Sequence, residues 1–375
     1  MMGKQLKQQI TSLALCFCIL QSAFSQQLNF IYKAAENGYS CFRIPAMVTT
    51  TKGTVLAFAE ARKNNCGDAG DIDLVVKRSI DNGKTWSPLQ LIWSDSTNTC
   101  GNPAPVVDKT TGDIILLSTW NLGTDHEKAI TNQTADDTRR VFVLSSSDDG
   151  NTWTAPREIT KSVKPADWTW YATGPGSGIQ IEKGAYKNRL VVACDHSVAG
   201  VKGSFSHSIY SDDDGRTWVL GSSTQVGVNE CTVAEISKGK LMLNMRNSGP
   251  PRCRQVSISK DGGQSWSALH PDTSLIEPVC QGSLISYNFR GRKRCLVFSN
   301  PASKTSRRNM TVRISYNNGK TWPLQKVFYP GPSAYSNVTI LPNGKIACLY
   351  EAGYNKPYEG IVFQAASFKE FKKEK

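Results

Sequence analysis

One eight-residue pattern, S-x-D-x-G-x-T-W, occurs five times along the 375-residue chain, and we call each copy a box. The five boxes begin at Ser79, Ser146, Ser211, Ser259 and Ser315. Each box follows a short run of alternating apolar and polar residues, which predicts a hairpin turn entered from a strand. The aspartate, replaced by Asn317 in the last box, is suited to accept hydrogen bonds from N–H groups of its own turn. The glycine adopts a positive φ without a steric clash.

The spacing of the boxes indicates how the chain is organised. Successive boxes start 48 to 67 residues apart, which is too long for one hairpin and suits a four-stranded sheet with its loops. Radial repetition of such sheets, or blades, forms a β-propeller. No convincing helical segment is longer than residues 367–375, so we predict an all-β fold, a six-bladed β-propeller. Five boxes for six blades imply one blade without a box, which we expect to be closed by residues from both ends of the chain.

The N-terminal segment has the composition of a secretory signal peptide. Lys4 and Lys7 precede an apolar run at residues 13–20, and small residues precede Gln26. The run is far shorter than the roughly 20 residues that a membrane-spanning helix needs. We therefore predict a signal peptide at residues 1–25 and a single domain at residues 26–375. We expect a secreted or periplasmic monomer without a membrane span.

The chain is strongly basic, with 44 lysines and arginines against 31 aspartates and glutamates and a formal net charge of +13. Such a balance favours an anionic partner. The basic residues are scattered between acidic turns, and the sequence contains no DNA- or RNA-binding motif. We therefore expect a small anionic substrate and no nucleic acid.

Eleven cysteines are present, and nine of them follow the predicted signal peptide. An odd number without C-x-x-C spacing supports neither a complete disulfide framework nor a zinc site. The sequence is compatible with one disulfide formed after export, but it does not identify the two cysteines. The four histidines also lack metal-binding spacing, so we expect no metal and no cofactor.

The segment Phe42-Arg43-Ile44-Pro45, followed by the boxes, closely resembles the bacterial-type sialidases, also called exo-α-neuraminidases. The resemblance covers essentially all of the chain after the predicted signal peptide. It implies a retaining glycoside hydrolase that releases terminal α-linked sialic acid through a covalent tyrosyl intermediate. The partners implied are sialylated glycans: glycoproteins, glycolipids and oligosaccharides.

The resemblance also assigns the residues that bind the substrate. The three arginines of the family's clamp are matched by Arg43, Arg246 and Arg307. Arg62 matches a further substrate-binding arginine, and Glu351 matches the carboxylate that orients Arg43. The third clamp arginine is directly followed by Arg308, which stays open as an alternative.

The resemblance further implies a nucleophile, its partner carboxylate and an acid/base residue: Tyr335, Glu230 and Asp68. Glu235 competes for the role of the partner carboxylate, and Asp71 and Asp73 compete for that of the acid/base. Tyrosine is a weak nucleophile at its ordinary pKa and needs a base. The acid/base would protonate the leaving oxygen and later activate water.

The chemistry of sialic acid explains these residue types. Its anomeric carbon carries a carboxylate, which a planar guanidinium fork binds with two hydrogen bonds. A carboxylate nucleophile would be repelled by this anion, at a cost of about 4 kcal/mol at about 4 Å and an effective dielectric constant of about 20. A neutral tyrosine avoids the repulsion, and sialidases are a known exception to the two-carboxylate scheme of glycosidases.

Two other functions are compatible with the same resemblance. A trans-sialidase would use this site to move sialic acid to a sugar acceptor instead of water. A non-catalytic sialic-acid-binding propeller would keep the boxes but would not need the tyrosine, the glutamate and the aspartate together. Trp120, Trp168 and Trp170 could line a sugar subsite or pack loops, and we favour packing.

Overall fold

The regular secondary structure of the chain consists almost entirely of β-strands in the computed structural model, which describes residues 27–288 and 294–373. The predicted signal peptide lies outside the described residues. The strands of the first half are β1 Phe30–Lys33, β2 Cys41–Thr49, β3 Val55–Arg62, β4 Ile72–Ser79, β5 Gln90–Trp93, β6 Thr99–Val107, β7 Ile114–Asn121, β8 Arg140–Ser146, β9 Arg157–Glu158, β10 Trp168–Thr173, β11 Ile179–Gln180 and β12 Leu190–Val198. Those of the second half are β13 Ser204–Ser211, β14 Val219–Leu220, β15 Val228–Ser237, β16 Lys240–Asn247, β17 Cys253–Ser259, β18 His270–Ile276, β19 Ser283–Asn288, β20 Arg294–Pro301, β21 Arg308–Ser315, β22 Leu324–Ile340, β23 Ile346–Ala352, β24 Gly360–Ala366 and β25 Lys372–Lys373. Two short helices are also present, α1 Glu127–Thr131 and α2 Thr160–Val163.

The described strands form four sheets, so the all-β prediction is confirmed. One eight-stranded sheet has the order β2-β3-β4-β6-β7-β8-β9, with β5 paired to β4. A five-stranded sheet contains β10 to β14, and a four-stranded sheet contains β15 to β18. The second eight-stranded sheet has the order β1-β24-β23-β22-β21-β20-β19, with β25 paired to β22. The N-terminal strand β1 therefore pairs with the late strand β24.

The apolar core lies between neighbouring groups of strands. Along β7, Ile115 and Leu117 point into one buried cluster, whereas Ile114 and Leu116 point into another. Successive strand residues face opposite sides of a sheet, so both faces of β7 are covered. This explains the continuous apolar run of the strand, and truncating Leu116 to alanine would cost about 2–5 kcal/mol of stability.

The boxes form the predicted turns. In the second box, Asp148 Oδ1 accepts hydrogen bonds from Thr152 N at 2.8 Å and from Ser146 Oγ at 2.9 Å. Gly150 N donates to Ser146 Oγ at 2.9 Å, and its φ of +78° follows a φ of +66° at Asp149. Equivalent side-chain contacts occur in the other four boxes, with Asn317 in place of the aspartate in the last. The turn is thus held by its own polar side chains.

The C-terminal segment differs from the sequence prediction, which gave a helix at residues 367–375. Residues 374–375 lie outside the described chain; within residues 367–373, only Phe368–Glu370 forms a helical turn, a single 3₁₀ turn, and β25 then pairs with β22. Ser367 and Glu370 cap this turn reciprocally, and Phe371 is buried against the core of the last sheet. Burial of the aromatic ring ends the helical geometry after one turn. In the described part of the chain, no helix is long and apolar enough to cross a membrane.

Candidate active site

A polar cavity of about 200 Å³ collects residues that are distant in sequence. Its walls include seven of the eight residues that the sequence assigned to the site: Arg43, Arg62, Asp68, Glu230, Arg246, Arg307 and Tyr335. The eighth, Glu351, is fully buried and bonds to two of them, as described below. The structure therefore brings all eight residues together, while their individual roles stay predictions.

Tyr335 lies at the centre of this arrangement, on β22. Its hydroxyl donates to Glu230 Oε1 and accepts a hydrogen bond from Arg246 Nη1 at 3.0 Å. Its ring lies beside two guanidinium groups, with ring-centroid distances of 5.3 Å to Arg43 Cζ and 5.5 Å to Arg307 Cζ. A single phenol thus contacts the three predicted clamp arginines and the predicted base.

The protonation of Tyr335 follows from its surroundings. Burial, together with the negative charge of Glu230, raises the pKa of the phenol well above its ordinary value. Arg246 and Arg43 oppose this shift but do not cancel it. Tyr335 is therefore a neutral phenol at physiological pH, with a carboxylate in place to accept its proton.

Glu230 and Arg246 are held together by the pairing of β15 with β16. The register pairs Val228 with Asn247 and Cys231 with Met245, which places both side chains at the same end of the two strands. Arg246 Nη1 lies 2.7 Å from Glu230 Oε2, and Asn229 Oδ1 accepts from Arg246 Nε at 2.8 Å. The alternative base, Glu235, lies at the other end of β15, where it pairs with Arg294 and lines a different cavity.

Arg43 is aimed into the cavity by a bulge in β2. The register with β3 shifts between Arg43 and Ala46, Ile44 has a φ of +55°, and Pro45 has no N–H to continue the ladder. Arg43 Nε donates to Glu351 Oε1 at 3.0 Å. Although burial alone would lower the pKa of Arg43, the charge of Glu351 reverses the shift, so the guanidinium stays charged.

Arg307, rather than Arg308, lines the cavity. Arg307 Nη1 donates to the hydroxyl of Tyr358 at 2.8 Å, and its Nη2 donates to the carbonyl of Val279 at 3.1 Å. Arg308 begins β21 and is exposed. Of the two adjacent arginines, Arg307 is the one that lines the cavity, and its role in the clamp stays a prediction.

Asp68 lies at the rim of the cavity, in the loop between β3 and β4. Its Oδ1 accepts from Arg62 Nη1 at 2.7 Å and from Arg43 Nη1 at 3.3 Å. Burial alone would raise the pKa of Asp68, but Arg62 and Arg43 outweigh it and lower the pKa. The side chain of Asp68 is 68% exposed. The competing Asp73 instead accepts from Tyr39 Oη at 2.7 Å and does not line the cavity.

Arg62 is buried beneath the same loop, with only 2% of its side chain exposed. Its Nε donates to Glu60 Oε2 at 3.0 Å, and its Nη1 donates to the carbonyls of Cys66 and Gly67 at 2.6 and 2.8 Å. Its nitrogens therefore already bond to protein groups, and its predicted role in binding substrate stays a prediction.

The described chain contains one disulfide, between Cys41 and Cys66. The sequence was compatible with such a bond but did not identify the two cysteines. The other seven cysteines of the described chain are free and buried. Sequence reasoning did not identify the pair, because residues 25 positions apart meet only through the pairing of β2 with β3.

Several polar residues of the cavity were not found from the sequence: Glu60, Asn102, Glu127, Arg139, Asp195, Ser204 and Asn229. Asp195 is 3% exposed, and burial together with Glu230 raises its pKa well above the ordinary value. The sequence feature that could have identified Asp195 as a cavity residue is its position at the end of the apolar run of β12. Trp170 lines the cavity, 4.2 Å from Arg139 Cζ to its ring centroid. Trp168 stacks on His196 instead, as expected for packing.

Within residues 27–288 and 294–373, no group of three or more histidine, cysteine, aspartate or glutamate side chains is arranged to hold a metal ion.

Comparison with known proteins shows which family the chain resembles. The family model described as a BNR repeat-like domain matches residues 53–348. A sialidase from Micromonospora viridifaciens is 34% identical over 85% of this chain, which spans about half (51%) of that relative's length. An exo-alpha-sialidase from Aspergillus fumigatus is 34% identical over 84% of this chain and 80% of its own length. The solved structure of the Hadza microbial sialidase Hz136 is 31% identical, with a TM-score of 0.82 over 91% of this chain and 68% of that one.

The repeated boxes, the curled antiparallel sheets and the arginine-rich cavity place the molecule among the BNR-repeat all-β proteins. Within that class, the chain belongs to the sialidase family.

Proposed function

We propose that the protein is an exo-α-sialidase, which hydrolyses terminal α-linked sialic acid from glycans with retention of configuration. The observation that carries this proposal is the phenol of Tyr335, bonded to Glu230 and lying against Arg43, Arg246 and Arg307. A neutral nucleophile within a cluster of guanidinium groups suits a substrate that carries a carboxylate at its reacting carbon.

The three clamp arginines would bind the substrate carboxylate. Their forks are held by protein acceptors on one side: Glu351 for Arg43, Asn229 for Arg246 and the carbonyl of Val279 for Arg307. Side chains fixed in this way lose little rotamer freedom when the anion binds, and guanidinium hydrogen bonds to carboxylates are among the strongest in proteins.

The same geometry supports a two-step displacement. Glu230 would take the proton of Tyr335 as the phenol oxygen attacks the anomeric carbon, which forms a covalent glycosyl-tyrosine. Water would then release the sugar with a second inversion at the same carbon, so the net result is retention. Arg246 contacts both Tyr335 and Glu230 and would stabilise the negative charge shared between them.

Asp68 would protonate the leaving oxygen and then activate the water. Arg62 and Arg43 lower its pKa, which by itself disfavours an acid. A substrate carboxylate bound to Arg43 places a further negative charge nearby, and a nearby negative charge raises the pKa of a carboxyl group. Substrate binding therefore favours the protonated form of Asp68.

We also infer that the four sheets form the six blades of a propeller. The first eight-stranded sheet divides at the single parallel contact between β4 and β6, which pairs Ile72 with Thr99. The second divides within β22, which pairs with β21 before residue 333 and with β23 from Ser333 onward. With the two smaller sheets this gives six units, and the unit without a box contains β1 and β24. An experimental structure with another number of blades would overturn this inference.

We further propose that the protein is exported as a monomer. The composition of residues 1–25 and the Cys41–Cys66 disulfide support export, because disulfides persist in oxidising compartments. Cell fractionation tests the location, and light scattering of the purified chain tests the monomer.

The decisive experiment measures the products released from sialyllactose. We expect free sialic acid, and proton NMR during the first minutes should show the α-anomer before mutarotation. Absence of free sialic acid would overturn the proposal. Sialic acid transferred from a 4-nitrophenyl sialoside to added lactose instead of water would support the trans-sialidase alternative, and binding without turnover would support the non-catalytic propeller.

A further inference from the structure

The loop at residues 63–71, which carries Asp68, is closed at its base and sparsely bonded above it. The last paired residues of β3 and β4 are Arg62 and Ile72, and Lys63 N donates to the carbonyl of Asp71 at 3.0 Å. Between these ends, the described backbone N–H bonds go to side chains: Gly67 N to Asn65 Oδ1 at 2.6 Å and Gly70 N to Thr99 Oγ1 at 3.1 Å. A loop without a hydrogen-bonded ladder opens readily unless other contacts hold it.

The Cys41–Cys66 disulfide supplies one such contact. Cys66 lies two residues before Asp68, and Cys41 lies two residues before Arg43. Cys41 is fully buried at the start of β2, where it pairs with Arg62 of β3. The bridge therefore fixes the middle of the loop to the strand that carries the first clamp arginine.

Arg62 supplies the second contact. From its buried position it bonds to the carbonyls of Cys66 and Gly67 and to Asp68 Oδ1, at 2.6, 2.8 and 2.7 Å. Glu60 holds the opposite side of the guanidinium, and Glu60 Oε1 itself accepts from Asn102 N at 2.8 Å. The guanidinium of Arg62, which is fixed by the buried carboxylate of Glu60, thus holds the loop through hydrogen bonds, and the disulfide holds it covalently at Cys66.

We propose that the Cys41–Cys66 disulfide and Arg62 are positioning residues for general acid catalysis by Asp68. The inference rests on the proposed sialidase function. Without these two contacts, the carboxyl group of Asp68 would move away from the leaving oxygen, whereas Tyr335, Glu230 and the arginine clamp would stay in place. The decrease in kcat/KM should therefore be larger for a substrate whose leaving group needs to be protonated.

The test compares two substrates with the same sialic acid. The sugar hydroxyl that leaves from sialyllactose is a very weak acid and needs protonation, whereas the phenol that leaves from 4-nitrophenyl sialoside does not. General acid catalysis contributes roughly 10²- to 10⁴-fold in rate. For the double variant Cys41→Ala/Cys66→Ala we expect kcat/KM to fall by at least about 10-fold for sialyllactose, because part of the contribution of general acid catalysis is lost. For the aryl sialoside we expect a fall of less than about 3-fold. The ratio of the two values does not depend on the fraction of folded enzyme.

Two further samples test the assignment. Dithiothreitol should produce the same pattern in the unsubstituted protein, because Cys66 is exposed and the other described cysteines are free, and it should not change the doubly substituted variant. Arg62→Lys keeps the positive charge, but the three donors of one ammonium cannot bond Glu60 and the three loop acceptors at once. This variant should therefore also slow sialyllactose more than the aryl sialoside.

The outcomes separate the two claims. An equal fall for both substrates in the doubly substituted variant, or no fall for either, would overturn the positioning role while leaving the proposed function intact. Failure of the unsubstituted protein to release sialic acid from either substrate would overturn the proposed function, and this inference with it.

Discussion

Glu351 joins Arg43 to the backbone of the predicted nucleophile. Its Oε1 accepts from Arg43 Nε at 3.0 Å, and its Oε2 accepts from the backbone N–H of Tyr335 at 3.1 Å. Oε1 also accepts from the backbone N–H of Ile44 at 3.0 Å, so one fully buried carboxylate holds the bulge of β2 against β22. The position of the clamp and that of the phenol are therefore coupled.

Glu351→Gln should damage both stability and substrate binding. Glutamine keeps the size of the side chain but leaves the guanidinium of Arg43 without its buried counter-charge, and breaking such a pair costs about 3–5 kcal/mol. We expect KM for a fluorogenic sialoside to rise at least about 10-fold, equivalent to about 1.4 kcal/mol of binding. Steady-state kinetics and urea unfolding measure the two effects.

Glu277→Gln is the matched control for this variant. Glu277 is also fully buried, its Oε2 lies 2.8 Å from Arg254 Nη1, and neither residue lines the cavity. This substitution should lower stability by a similar amount without changing KM. If both variants raise KM equally, the effect of Glu351 comes from lost stability and not from the clamp.

Tyr335→Phe should abolish turnover and preserve the fold. The substitution removes only the hydroxyl, which is the group bonded to Glu230 and Arg246. We expect kcat on a fluorogenic sialoside to fall at least about 10³-fold, within the range lost when a member of a catalytic group is removed. Tyr350→Phe removes the hydroxyl of another buried tyrosine, which is bonded to Gln364, and should leave kcat unchanged. Activity retained by Tyr335→Phe would exclude this phenol as the nucleophile.

Arg307→Ala should weaken substrate binding, whereas Arg308→Ala should not. The two residues are adjacent in sequence, but only Arg307 lines the cavity and lies against the ring of Tyr335. Loss of a charged hydrogen-bonding partner costs about 1.5–3 kcal/mol, so we expect an increase in KM of about 10- to 100-fold for the first variant. Equal effects of the two substitutions on KM would contradict the assignment.

The sequence predicts the repeat architecture well because each box carries its own turn chemistry. Asp148 and Gly150 meet residues of their own turn, so a local pattern is enough to identify them. The resemblance to sialidases likewise located Arg43 and Tyr335 through short motifs. The C-terminal helix was wrong because burial of Phe371 depends on a distant sheet, which no local pattern reveals.

The remaining cavity residues depend on contacts between segments that are far apart. Asp195 and Arg139 are separated by more than fifty positions and follow ordinary strand patterns, so each resembles a strand-end residue in the sequence. Their shared location appears only in the folded chain, where both side chains line the cavity that contains the clamp arginines. The disulfide shows the same limit, because an odd number of cysteines gives no pairing.

Two buried histidines should make stability depend on pH. His207 Nε2 lies 3.0 Å from the hydroxyl of Tyr171, and the two Nδ1 atoms of His196 and His207 lie 3.0 Å apart. The contact between the two Nδ1 atoms needs one ring to accept, and an imidazolium has no acceptor atom, so the two rings cannot both be protonated in this arrangement. Burial lowers the pKa of His196 to about 3 and lowers that of His207 well below its ordinary value.

The sign of the pH dependence follows from these shifts. Below an unfolded-state pKa of about 6.5 the unfolded chain binds protons that the folded protein does not, so stability falls as pH falls from about 6.5 toward the folded pKa. Each histidine contributes at most about 1.4 kcal/mol per pH unit in this window. His196→Gln should therefore show a smaller drop in thermal midpoint between pH 7.5 and pH 4.5, as measured by calorimetry. His126→Gln, at an exposed histidine, should keep the full drop, and the same reduction in both variants would refute the buried pair as its cause.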